Sequence, residues 1–193
     1  MWPIRCRCSD SLPAMKPAPL IAACILALGS AGMARADVRE TREGSFVIEI
    51  TMMADASPAL VYRDLVRVAL WWHPDHTWSG AAKNLKLDAR AGGCFCEKLS
   101  GGGSVQHGRV VFAQPGKQLR LEAALGPLQE MAVAGVLTFV LAPDGPGTRI
   151  SMTYRVSGQL TMDTGKLAPL VDQVMGIQLG RLRDVASGRP VAP

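Results

Sequence analysis

The sequence predicts an α+β domain, a curved antiparallel sheet wrapped around one long C-terminal helix with a cavity between them. Three observations predict it. Phe46, Ile48, Ile50 and Met52 alternate with Val47, Glu49 and Thr51, the period of a half-buried strand. Between Asn84 and Val156, short apolar runs recur between Gly- and Pro-rich turns, the pattern of successive hairpins. From Lys166 to Val185, apolar residues recur at helical spacing. A sheet must bury one face, and here only the closing helix can cover most of it. One helix seldom fills the concave side of a long curved sheet, so an internal cavity is expected.

The elements follow in order. Residues 1–36 are read as lying outside the domain. Met15-Lys-Pro-Ala-Pro precedes the apolar run Leu20–Leu28, and Ala34-Arg35-Ala36 closes the segment. A basic start, a short apolar stretch and an Ala-x-Ala end describe a secretory signal, with cleavage expected before Asp37 and Met15 as an alternative start. The run is shorter than the ~20 residues of a bilayer span. Ile21-Ala22-Ala23-Cys24 has lipobox residue types, but its apolar stretch continues past the cysteine. The expected product is an exported chain, periplasmic or secreted. It comprises one domain over 37–193, with no stable membrane span.

Removing that segment changes the charge. The whole chain is formally +5; Arg5, Arg7, Lys16 and Arg35 against Asp10 account for +3, leaving +2. No later Lys/Arg run marks a nucleic-acid surface, so no nucleic-acid partner is expected. Of five cysteines, only Cys94 and Cys96 lie beyond the segment.

After the first strand, Ser57 and Pro58 open a helix as N-cap and first helical residue. Its stripe runs Val61, Leu65, Val68, Trp72, and it is expected to stop at His73-Pro74, because the residue before proline avoids helical angles. Strands are expected at Asn84–Asp88, Gly93–Leu99, Val105–Ala113, Gln118–Ala123, Ala132–Leu141 and Thr148–Val156. The triple glycine 101–103 is read as a hairpin loop, since no Lys-Ser/Thr and helix follow it as a phosphate loop requires. The final helix is given an apolar stripe of Leu167, Leu170, Val171, Val174, Leu182 and Val185. Gly176 and Gly180 in it allow close approach to the sheet, a bend over the cavity, or simple tolerance.

Three stretches carry a family resemblance. Trp71-Trp72-His73-Pro74-Asp75-His76-Thr77-Trp78-Ser79-Gly80, Asp88-Ala89-Arg90-Ala91-Gly92-Gly93-Cys94-Phe95-Cys96-Glu97 and Gly126-Pro127-Leu128-Gln129 resemble bacterial SRPBCC proteins of the START-like helix-grip superfamily. Such proteins are often labelled polyketide cyclase-like, or similar to the activator of a heat-shock chaperone ATPase. The resemblance covers Ser45–Ser187. It implies a cavity for an apolar or aromatic ligand between sheet and final helix, but not one activity. An exported chain would not meet a cytosolic chaperone, so that role is set aside.

Candidate ligand-binding residues are Trp72, His76, Trp78, Phe95, Glu97, Leu128 and Tyr154, with the Gly126–Met131 connection expected as a lid. Each has a bland alternative in core packing or a solvated surface. Glu97 shares a strand face with Phe95. If that face is the inner one, its carboxyl is expected to be desolvated with a raised pKa, which suits a general base. His107 enters through register. With Leu99 opposite Ser104, Cys96 faces His107, and Cys94, Cys96 and His107 form a candidate metal set. A slip of one residue pairs Glu97 with His107 instead, an acid–base dyad. The two cysteines also share a strand face ~6.5 Å apart, near the upper limit for a disulfide.

The leading expectation is a monomer or weak dimer that binds a hydrophobic or aromatic small molecule, with no cofactor. The alternatives are a cyclase- or hydratase-type enzyme using Glu97 or His107 as base, and a metal module on Cys94, Cys96 and His107.

Overall fold

The computed structural model describes residues 36–191. The segment read as a signal therefore lies outside the described residues, except for Ala36 at its end. Eight strands form one antiparallel sheet: β1 Ala36–Arg42, β2 Ser45–Ala54, β3 Leu85–Leu87, β4 Cys94–Lys98, β5 Ser104–Gln114, β6 Gln118–Glu122, β7 Ala132–Asp144 and β8 Gly147–Gln159. Their order across the sheet is β1-β2-β8-β7-β6-β5-β4-β3. Helix α1 spans Pro58–Leu65 and helix α2 spans Thr164–Ala186. This is the helix-grip α+β architecture expected from the sequence. No helix among the described residues is long and apolar enough to cross a membrane.

The core sits between the concave sheet face and the helices. Phe46, Ile48, Ile50, Ile150, Met152 and Tyr154 come from β2 and β8, and Leu65, Met175, Leu179 and Leu182 come from the helices; all are buried. The period-two alternation of β2 and β8 places these residues inside by strand geometry alone.

Helix α1 is shorter than its stripe suggests. Val61, Leu65, Val68 and Trp72 are all buried, but the helix ends at Leu65 and Val68–Leu70 is a separate 3-10 turn. The Trp71 indole N–H supplies the reason. It donates to the carbonyls of Asp64 and Leu65 at 3.0 and 3.1 Å, satisfying acceptors that a continuing helix would have used.

Strand β5 is where the sheet bends. Cys94 faces Arg109 and Phe95 faces Gly108, but Cys96 faces Gln106, so His107 is an extra residue. A second shift follows between Val110 and Phe112, leaving Val111 extra. Two bulges four residues apart bend the strand and raise its twist, curling the sheet round α2. Gly108 is required beside the first bulge: a Cβ there would stand 2.8 Å from the Ala123 Cβ.

The closing helix begins two residues earlier than expected, capped by Asp163, whose side chain accepts from the Lys166 N–H at 3.2 Å. A Cβ added at Gly176 or Gly180 would meet Ile50 or Met52 at 3.9 Å, ordinary contact. The two glycines face β2, and tolerance is sufficient to explain them.

Candidate functional site: an apolar cavity under α2

A cavity of about 520 Å³ lies beside α2. From the helix, Leu167, Leu170, Val171, Val174 and Met175 line it. Leu170, Val171 and Val174 belong to the predicted apolar stripe, yet Leu170 is 53% exposed and the other two are only half-buried. All three face the cavity; Leu170 and Val174 lie outside the core, while Val171 also packs against its edge. The real packing stripe runs through Leu167, Ala168, Met175, Leu179, Leu182 and Ala186.

The wall opposite the helix comes from the segment after α1 and from the connection before β7. Trp72, His76, Thr77 and Trp78 contribute from the first; Leu125–Leu128 and Met131 contribute from the second. That connection folds as a 3-10 turn over Gly126–Glu130 with Leu128 buried. Trp72 is buried and packs edge-on against Phe95, ring centres 5.3 Å apart, while Trp78 is 50% exposed at the rim. Trp71 belongs to the core.

Polar groups hold this wall from two sides. On the helix side, Gln178 is 1% exposed. Its Oε1 accepts the His73 backbone N–H at 2.8 Å, which fixes Nε2 as the end that faces His76 Nδ1 at 2.6 Å. An amide nitrogen can only donate, so His76 Nδ1 accepts and the ring carries its proton on Nε2. Burial, and secondarily His73, lowers the His76 pKa from its ordinary 6.5, against the pull of Asp75. His76 is therefore a neutral imidazole with one N–H, set in the cavity wall.

On the sheet side, Glu97 is 1% exposed on the inner face of β4. Its carboxylate accepts the backbone N–H groups of Trp78 at 3.1 Å and Ser79 at 2.5 Å, and it accepts from His107 Nε2 at 2.8 Å. Burial pushes this carboxyl up, but the hydrogen bonds from Ser79, Trp78 and His107 outweigh burial and hold it below its ordinary value. The expectation of a raised pKa is thus corrected. A carboxylate saturated with donors stays ionised and serves as an anchor for the 78–79 backbone.

His107 lines the cavity, its ring 5.0 Å from Phe95. Neither predicted pairing of His107 occurs: the register that would set Cys96 against His107 holds for Cys94–Arg109 and Phe95–Gly108, but it shifts by one residue from Cys96 onward. The bulge makes His107 unpaired, and it turns inward to reach Glu97 although Glu97 pairs with Val105. With Nε2–H donated to the carboxylate, Nδ1 is the nitrogen left for other chemistry.

The proposed metal set is not assembled. Cys94 and Cys96 lie on the opposite face of β4 from Phe95 and Glu97 and are joined to each other in a disulfide, Cα atoms 5.4 Å apart. His107 is on the inner face. No group of three His, Cys, Asp or Glu side chains suited to a metal occurs among the described residues. Tyr154 is also displaced from the cavity list. It is fully buried, its hydroxyl donating to Ala123 O at 2.9 Å and accepting from Leu125 N–H at 3.1 Å. It braces the start of the 125–131 connection instead of lining the cavity. Phe95 and Glu97 likewise stand behind the wall, through Trp72 and His107.

Sequence reasoning did not place Leu170, Val171, Val174 or Met175 at the site, and it missed Gln178 altogether. The available signal was a polar residue one position before Leu179 and four before Leu182, on the buried side of an amphipathic helix.

Comparison with known proteins supports the fold and no more. No protein-family model matches this chain, and no curated protein matches it. Among solved structures, it is similar to a conserved protein of unknown function from Enterococcus faecalis, at 15% identity and TM-score 0.58 over 82% of this chain and 81% of that one. It is also similar to CalU16 from Micromonospora echinospora, at 16% identity and TM-score 0.51 over 82% and 85% of the two chains. The Aha1 dimer from Colwellia psychrerythraea matches at 19% identity and TM-score 0.52 over 73% of this chain and 96% of that one.

Proposed function

We propose that this chain is an exported START-like SRPBCC domain that binds a hydrophobic or aromatic small molecule between α2 and the Trp72–Trp78 segment. One observation carries the reading. The helix leaves Leu170 and Val174 out of the core and turns them, with Val171 at the core's edge, to a space of about 520 Å³ walled by Trp72, Trp78, Leu125, Leu128 and Met131. Exposed apolar surface gathered round a concavity of this size is the ordinary form of a small-molecule site. A ligand held there would meet two imidazoles of fixed tautomer, so an apolar body with a polar end suits it best. The test is native mass spectrometry of protein purified from its own export compartment, followed by extraction. A stoichiometric organic molecule released on unfolding supports the reading; ligand-free protein that also binds no apolar compound rejects it.

A second reading rests on the Glu97–His107 pair. An ionised carboxylate that orients an imidazole leaves the other ring nitrogen as a proton acceptor in a water-poor site, the arrangement of a general base. In this reading His107 is the base and Glu97 the positioning residue, in place of Glu97 as base. A ligand turned over by the wild type but only bound by His107→Gln would support cyclase- or hydratase-type chemistry. Equal turnover by both would exclude it.

A further inference from the structure

The disulfide on the outer face of β4 is unused by either reading, and its surroundings differ from those of a structural bridge. Both cysteines are partly exposed. In antiparallel sheets, paired residues share a face. Cys96 is paired with Lys86 on one side and Gln106 on the other, and Cys94 is paired with Arg109. Lys86 and Arg109 are both exposed, so two cations flank the bridge on its own face. Of the other charges nearby, Arg90 is bound to Asp88 at 2.7 Å, and exposed Glu122, the far-side strand partner of Arg109, offsets part of that cation, leaving Lys86 as the stronger influence. Cations beside a cysteine stabilise the thiolate, and a stabilised thiolate is both a better leaving group and a more favoured reduced state.

The bridge also spans the bulge. Cys94 and Cys96 bracket Phe95, and the extra residue His107 is inserted opposite the Phe95–Cys96 step. The Cα separation of 5.4 Å is shorter than the ~6.5 Å of an ordinary extended strand. Phe95, held between the two cysteines, packs on Trp72 and His107, and the next inward residue of β4 is Glu97.

We propose that Cys94–Cys96 is a redox-active disulfide that exchanges two electrons with an external dithiol in the folded state, and that its state is felt through Phe95 at Trp72 in the cavity wall. A thiolate of the dithiol attacks one sulfur; the Cys94–Cys96 bond breaks, a mixed disulfide forms, and the released cysteine thiolate takes a proton from solvent. The second thiol of the reductant then attacks the mixed disulfide. It closes the oxidised reductant and frees the other cysteine, which also takes a proton. The protein gains two electrons and two protons, and the dithiol loses both.

The experiment equilibrates the native full chain in graded mixtures of reduced and oxidised dithiothreitol, alkylates it, and maps the peptide holding both cysteines. Circular dichroism follows folding, and the indole N–H signal of Trp72 follows the cavity wall. The expected result is full reduction in the folded state, with a shifted Trp72 signal. The Lys86→Gln, Arg109→Gln double variant should need a dithiol ratio about 3- to 10-fold more reducing, the size of two exposed charge interactions. A bridge that opens only when the protein unfolds overturns the proposal, and so does an unchanged ratio in the charge variant. The Cys94→Ser, Cys96→Ser double variant should show the Trp72 signal of the reduced protein; the oxidised signal there would overturn the coupling to the cavity wall.

Discussion

Glu97 and His107 meet at 2.8 Å although the sheet does not pair them. The contact exists because β5 carries one residue too many at that point, and the same carboxylate ties the inner face of β4 to the Trp78–Ser79 backbone beside the cavity. Acid should expose this dependence. A carboxyl held below its ordinary value stabilises the fold above about pH 4.5, and that contribution is lost as the pH falls through the lowered folded value. Thermal melts of the wild type should therefore lose Tm steeply on the acid side of that point. Glu97→Gln, which must aim an amide N–H at a donor, should melt lower at neutral pH, by about 1.5–3 kcal/mol, with a flatter acid limb. A wild-type acid limb as flat as the variant's would contradict the anchor role.

His76 should stay neutral and protonated on Nε2 at neutral pH. Two-dimensional nitrogen NMR of the imidazoles checks the tautomer directly. Its folded pKa lies below 6.5, so protonation favours the unfolded chain and stability declines as pH falls from there toward the folded value. Gln178→Glu replaces the donor facing Nδ1 with a carboxylate and should raise the His76 titration by a unit or so, each unit being about 1.4 kcal/mol. An unmoved His76 titration would mean that Gln178 does not set it.

The two kinds of apolar residue on α2 should separate in a mutational test. Leu179 is fully buried, and Leu179→Ala should cost about 2–5 kcal/mol in denaturant unfolding. Leu170 is 53% exposed, and Leu170→Asp should stay within about 0.5 kcal/mol of wild type while weakening binding of apolar compounds. Equal costs at the two positions would place Leu170 in the core.

Tyr154→Phe removes a hydroxyl that both donates and accepts in the interior, and should cost about 1–3 kcal/mol by leaving Ala123 O and Leu125 N–H unmatched. Cavity binding should persist, measured by titration with an apolar dye. Loss of binding with unchanged stability would return Tyr154 to the lining.

The strands were legible because period-two alternation survives wherever one face is buried. Phe46–Met52 and Thr148–Val156 lie within β2 and β8, which extend only one to three residues further at each end. Strand β1 escaped notice because Ala36–Arg42 is mostly polar and holds a single branched apolar residue, Val38. The bulge at His107 defeated register arithmetic, since an insertion changes the pairing sum partway along a hairpin. Gly108 was its one visible trace, an isolated glycine in a strand pattern. The stripe of α2 was read as one core-facing surface. Apolar residues facing a cavity and those facing a core look alike in sequence, and only the sheet's curvature tells them apart. Gln178 was hidden for a related reason: its partners sit on a loop about a hundred residues earlier.

The most direct test of the central claim is to fill the cavity and ask whether binding goes while the fold stays. N-phenyl-1-naphthylamine, titrated into the wild type and into Val174→Trp, is followed by its fluorescence, with melting curves for both proteins. Saturable binding near one equivalent in the wild type, lost in a variant of unchanged Tm, is the predicted result. No saturable binding to the wild type, or equal binding to both proteins, would contradict it.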